Sequence, residues 1–228
     1  MADEEQRELA SSPCSLGEVD PAYAGLDGPG DLNGWRKAQR ERLIGLRMAI
    51  PAAERTELGE RVAARLEELI GDPAGLVVSA YWPFRGEPDL KPMLARLREK
   101  DAITALPVVV KKAHPLVFRQ WQSGDRLERG VWNIPIPADG AEVVPDIAIA
   151  PVVGYDPQSY RLGYGGGFFD RTLAALLPHK PRLFGVGYTV QAIPTIYPQS
   201  YDIPMDAVVT EEGVLRPARS VQPGLDAR

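Results

Sequence analysis

Cysteine and histidine are nearly missing from this chain. Its 228 residues hold one cysteine, Cys14, and two histidines, His114 and His179. A lone thiol closes no internal disulfide, and this supply builds neither a zinc cluster nor, easily, a Ser-His-Asp site. Nothing basic adjoins Cys14 to activate it. Also missing is any apolar run near the roughly 20 residues that cross a bilayer. The start of the chain, with Asp3, Glu4 and Glu5, is unlike a secretory signal. Positive charge is in deficit as well: the formal net charge is -5, so no overall basic field attracts nucleic acid, and any anionic ligand must be held by a local patch. These absences predict a cytoplasmic protein that works on small molecules, with no nucleic-acid or membrane partner; they say nothing of protein partners.

What is present is ordinary globular composition, 44% hydrophobic and 25% charged, in a chain long enough for one sizeable core. Residues 1–31 are rich in Ser, Gly, Pro, Asp and Glu without an apolar period, which predicts a disordered tail. Removal of residues 1–30 is expected to leave melting temperature and activity nearly intact. From Trp35 the pattern turns helical, with Leu43, Leu46 and Ile50 on one side and Arg36, Lys37, Arg40, Arg42 and Arg47 elsewhere. A second helix carries Leu58, Val62, Leu66 and Leu69. Predicted strands at 76–82, 103–110, 116–121, 146–153, 183–188 and 207–210 alternate with helices at 88–100 and 168–177. Residues 32–228 are therefore expected to form a single α/β domain, a mainly parallel sheet with helices on both faces. Ligands of such sheets bind at the carboxyl ends of the strands. The Pro-rich stretch 131–145 is expected to wrap over the surface nearby.

The run Arg161-Leu162-Gly163-Tyr164-Gly165-Gly166-Gly167-Phe168-Phe169-Asp170-Arg171 stands where a ligand is expected. Glycine lets a ligand approach the backbone, and a helix start offers unpaired N–H groups at the positive end of the dipole. This is a site for an anion, phosphate above all; the alternative is a flexible turn between strand and helix. The run is neither a P-loop nor a dinucleotide fingerprint, because Phe168 occupies the third glycine's position. Asp170 and Asp202 offer hard oxygens suited to Mg²⁺ beside phosphates if the fold brings them together; otherwise Asp170 serves the helix dipole.

This run resembles the R-L-G-x-G-[KG]-G-[YF]-[YF]-D signature of the 5-formyltetrahydrofolate cyclo-ligase family. Three weaker matches follow the family's order: the basic helix Arg36-Lys37-Ala38-Gln39-Arg40, Glu87-Pro88-Asp89 after the first strand, and Trp132-Asn133-Ile134-Pro135-Ile136-Pro137. The resemblance implies ATP- and Mg²⁺-dependent conversion of 5-formyltetrahydrofolate to 5,10-methenyltetrahydrofolate, through phosphorylation of the formyl oxygen. It implies a catalytic group of Arg161, Phe168 and Asp170. Nucleotide would be held by Arg36, Lys37, Arg40 and Arg161, with Leu162, Gly163, Tyr164, Gly165, Gly166, Gly167, Phe168 and Phe169. Folate would meet Trp82, Glu87, Trp132, Tyr164, Gly165, Gly166, Gly167 and Phe168, and Mg²⁺ would lie on Asp170 and Asp202. Lys111, Lys112 and Arg119 are candidate contacts for a polyglutamate tail. Gly166 stands where many members have Lys, and Phe168-Phe169 replaces a frequent Tyr-Tyr. These departures leave open a slow enzyme or a non-catalytic folate- or nucleotide-binding protein. A sugar-phosphate isomerase or transferase on a related sheet is a further reading, which ATP dependence would exclude.

Overall fold

A computed structural model describes residues 28–217. Cys14 and most of the predicted tail lie outside the described residues. The last residue of that tail, Asp31, has a definite structural role: its carboxylate accepts from Gly34 N–H at 2.9 Å and caps helix α1, Leu32–Ala49. This satisfies one of the unpaired amides at a helix start. Pro51 then opens α2, Ala52–Ile70, which Gly71 closes with a positive φ of 73°.

The amphipathic reading of α1 is corrected at three positions. Leu43 is inward as expected, but Leu46 is 43% exposed, whereas Arg47 is fully buried and Arg36 nearly so. The helix packs over the end of the sheet against loop carbonyls and carboxylates, so the groups that satisfy its buried face are guanidinium donors.

One sheet organises the described residues. β1 (Val77–Ser79), β2 (Ile103–Val108), β7 (Ile147–Pro151), β10 (Arg182–Val186) and β11 (Ala207–Val209) run parallel in the order β11-β10-β7-β1-β2. Antiparallel strands finish both edges: β12 (Val214–Leu215) beyond β11, and β3 (Val117–Gln120) then β6 (Glu142–Val143) beyond β2. The Pro-rich stretch contributes part of a hairpin, β4 (Leu127–Arg129) with β5 (Pro135–Pro137). A second hairpin, β8 (Gly154–Tyr155) with β9 (Arg161–Leu162), stands between β7 and the glycine loop.

Both faces are covered, as the patterning predicts. Ile147 and Ile149 of β7 join Val62 and Leu66 of α2 and Met93, Leu94 and Leu97 of α3, Lys91–Arg98, in one core. Ala148, between them, turns to the opposite face with Leu173 and Leu176 of α4, Phe168–Leu176. This alternation is the two-residue period of a strand buried on both sides. The predicted strand 76–82 is shorter than expected, because the chain leaves the sheet after Ser79 and its aromatic residues go to a cleft instead. Strand order reverses between β1, whose next neighbour in sequence lies on one side, and β7, which continues to the other. Such switch points open a crevice at the strands' carboxyl ends.

Candidate active site

The crevice is a cleft of about 1560 Å³. Residues after β1 (Tyr81, Trp82, Phe84, Glu87), the end of β2, the β4–β5 hairpin, α1, the glycine loop and the start of α4 line it. A switch point alone makes a gap; here the departing strand ends and the glycine loop furnish its walls.

The loop owes its shape to backbone angles that side chains resist. Gly165 has φ 95° and Gly167 φ 62°, and Gly167 is the N-cap of α4, where no side chain caps the helix. The N-cap thus offers no side-chain acceptor to the amides at the start of α4, which stand at the positive end of its dipole. Two arginines grip the loop by its carbonyls: Arg40 Nε donates to Gly163 O at 2.7 Å, and Arg171 Nη2 to Gly166 O at 2.6 Å. The buried Arg161 donates to Asp170 Oδ1 at 2.8 Å and lies over the Phe169 ring, while Arg171 lies over Phe168. Among the described residues, the buried Nε atoms of Arg161 and Arg171 have no hydrogen-bond partner. The cluster therefore holds unused donor capacity, which suits an anion.

Aromatic rings from the loop itself and from two other segments line the cleft. Phe84, Tyr164, Trp132 and Phe168 follow one another with ring centroids 5.8, 6.2 and 6.4 Å apart. Trp132 is presented from a backbone with φ 54°. Such rings give a flat heterocycle area to cover. Trp82 also lines the cleft, packed edge-on against Trp121 with Lys91 over its face. Glu87 is buried beside these rings. Its Oε1 accepts from the Tyr164 hydroxyl at 2.7 Å and its Oε2 from Phe84 N–H at 2.9 Å. Burial pushes its pKa up to about 7, although Arg47, Tyr164 and the Phe84 amide pull it down.

The fold brings Asp170 and Asp202 to the same cleft, each held by an arginine. Asp202 takes Arg36 through both oxygens, at 2.6 and 3.4 Å, and also accepts from Gln199 N–H. Arg36 further donates to the carbonyls of Ile196 and Tyr197. Arg36, expected at the phosphates, is thus engaged in tying α1 to the 196–202 segment. Burial raises the Asp170 pKa, with Arg161 opposing and the Asp202 charge adding to it. No group of three or more His, Cys, Asp or Glu capable of holding a metal occurs among the described residues. Lys37 lines the mouth and is exposed. Of the suggested tail contacts, Lys111, Lys112 and Arg119 are not in the cleft lining, which includes Arg85 instead.

Three contributors escaped the sequence reading: Phe84, Arg171 in its grip on the loop, and Arg47. A signal for Arg47 existed. Arg36, Arg40, Leu43 and Arg47 are spaced four, three and four apart, one stripe of a helix; that stripe turns inward, with Arg36 and Arg40 at the cleft and Leu43 and Arg47 behind its lining.

Comparisons with known proteins converge. The sequence model described as the 5-formyltetrahydrofolate cyclo-ligase family matches residues 33–211. The 5-formyltetrahydrofolate cyclo-ligase of Escherichia coli strain K12 is 30% identical over 178 residues, covering 74% of this chain and 96% of the relative. That of Haemophilus influenzae is 25% identical, covering 75% and 94%. The NMR structure of Aquifex aeolicus 5,10-methenyltetrahydrofolate synthetase superposes with a TM-score of 0.71 at 29% identity, over 85% of this chain and 99% of that one. The synthetase of Mycoplasma pneumoniae, at 19% identity and TM-score 0.64 over 77% and 98%, shares the fold. With its glycine loop, its cleft and a match over most of its length, the chain belongs to the 5-formyltetrahydrofolate cyclo-ligase family.

Proposed function

We propose that this protein converts 5-formyltetrahydrofolate to 5,10-methenyltetrahydrofolate with cleavage of MgATP to ADP and phosphate. The observation that carries the reading is the convergence on one cleft of an uncapped helix start under a glycine loop, an aromatic wall and a buried carboxylate. The first suits a triphosphate and the other two a pterin ring. Its partners are these small molecules rather than nucleic acid, and its setting is the cytoplasm. Among the described residues no helix is long and apolar enough to cross a membrane.

The formyl oxygen is a poor nucleophile, so catalysis rests on positioning and charge neutralisation. The oxygen attacks the γ-phosphorus and ADP departs. N10 then attacks the activated carbon and loses its proton, and the C–O bond breaks to release phosphate. The amides of Gly163 to Phe169 cradle the phosphates, with charge from Arg161, Arg40 and Lys37. Arg36 serves through Asp202 and the segment it anchors. Glu87 accepts from pterin N–H groups, and Trp132, Tyr164 and Phe168, with Trp82 at the edge, cover the ring.

Asp170 fits a magnesium site, since Arg161 takes only its Oδ1. Asp202 fits less well, because Arg36 occupies both its oxygens. Mg²⁺ bound with nucleotide needs only one or two carboxylates beside phosphate oxygens, and when bound it draws charge from the transferring phosphoryl group.

A second reading, a binding protein without turnover, draws on Phe168 and Phe169: rings under guanidinium groups replace hydroxyls that would add hydrogen bonds at the reacting centre. Purified protein mixed with MgATP and 5-formyltetrahydrofolate decides between them. Growth of the near-ultraviolet methenyl chromophore, dependent on ATP, supports the enzyme. Tight binding by calorimetry without that chromophore supports the second reading, and neither binding nor turnover overturns both.

A further inference from the structure

Arg47 lies outside the cleft lining, fully buried behind it. We propose that it is a positioning residue that fixes the direction of a hydrogen-bond relay, Arg47 to Tyr164 to Glu87, and so presents the cleft carboxylate to its ligand as an acceptor. The consequence for folate rests on the proposed function; the relay itself does not.

The chemistry of the donors dictates the direction. A guanidinium can only donate. Arg47 Nη2 lies 2.6 Å from the Tyr164 hydroxyl oxygen, so that oxygen accepts there and its proton must point elsewhere. Glu87 Oε1, at 2.7 Å, receives it. Oε2 accepts from the Phe84 amide, a donor that cannot reverse. Both carboxylate oxygens are therefore met by donors, and only their remaining lone pairs are open to a ligand's N–H groups. Remove Arg47 and the hydroxyl can turn round, accepting a hydrogen bond from neutral Glu87, which then offers the ligand fewer acceptor positions.

Arg47 is held to this task. Nε donates to Arg85 O at 2.9 Å and Nη1 to Val152 O at 3.2 Å, with Phe84 O near Nη2. It thereby joins the loop that follows β1 to the end of β7, the two strands flanking the switch point. Glu87 is faced by Arg47 from α1, Tyr164 from the glycine loop, Tyr81 after β1 and Tyr188 after β10. Burial and the Glu87 charge drive the Tyr164 pKa upward, so its hydroxyl remains a neutral donor.

The test titrates Glu87 by carboxyl carbon NMR in the full chain without ligand, its resonance identified by loss in Glu87→Gln. Arg47→Met should raise the midpoint by about 1 to 3 pH units, as for loss of a close opposite charge and its relay. The shift should shrink when Tyr164→Phe is already present. An unchanged midpoint overturns the inference. So does an equal shift with and without the hydroxyl, which would make Arg47 a charge acting through space. If Arg47→Met does not fold, Tyr164→Phe alone decides, since it loses one oxygen: a raised midpoint supports the relay and an unchanged one overturns it. With 5-formyltetrahydrofolate and ATP, Arg47→Met should raise the folate KM and leave the ATP KM nearly constant, and equal changes in both overturn the link to the ligand. A titration that behaves as expected in a protein that forms no methenyl product would sink the proposed function alone.

Discussion

Asp170 and Glu87 line one cleft in different surroundings. Asp170 begins a helix beside Arg161, with the Asp202–Arg36 pair close by; Glu87 sits among rings with a hydroxyl and an amide as donors. The Glu87 pKa, raised from about 4.5 to about 7, has a consequence for stability. The folded chain holds this proton to higher pH than the unfolded chain, so stability falls as pH rises through that window. Against Glu87→Gln, the wild type should lose about 3 kcal/mol between the two limits, measured by denaturant titration at each pH. Parallel curves for the two proteins would contradict the assignment. For Asp170→Asn, apparent Mg²⁺ affinity in the turnover assay should fall about 10- to 100-fold or more; an unaltered magnesium dependence would remove it from the metal site.

At the scale of elements, the glycine loop is the one whose sequence and structure agree most directly. Positive φ at Gly165 and Gly167 is what the cluster of glycines announced, because other residues enter that region at a cost. Gly165→Ala should cost ~1–2 kcal/mol of stability and weaken ATP binding more than folate binding. Equal loss of both ligands would argue that the loop serves general folding. Helix α4 was legible because its apolar spacing follows a glycine N-cap, and β7 because it is buried on both faces. The β8–β9 hairpin and β12 were not, since two-residue strands carry no period. Helix α1 was read with the wrong inward face at Leu46 and Arg47. Periodicity assumes an apolar neighbour, and this helix meets carbonyls and carboxylates.

For the whole molecule, the Arg36–Asp202 pair joins residues 166 apart in sequence and closes one side of the cleft. Both side chains are buried, so removing one leaves the other uncompensated. Arg36→Met should cost about 3–5 kcal/mol, seen as a lower denaturation midpoint. Adding Asp202→Asn should restore part of it. A large rise in ATP KM with unchanged stability would instead assign Arg36 to the nucleotide.

The amino-acid order by itself determined the α/β class, the glycine loop and the family, because glycine placement and apolar periods are local and survive without knowledge of neighbours. Only the tertiary structure decided the partners. Arg36 went to Asp202, Arg161 to Asp170, and Arg47 to a tyrosine that leads to Glu87. A charge in a sequence has no address: which opposite group it meets depends on how the strands are ordered about the switch point, and that order is set by packing across the whole sheet.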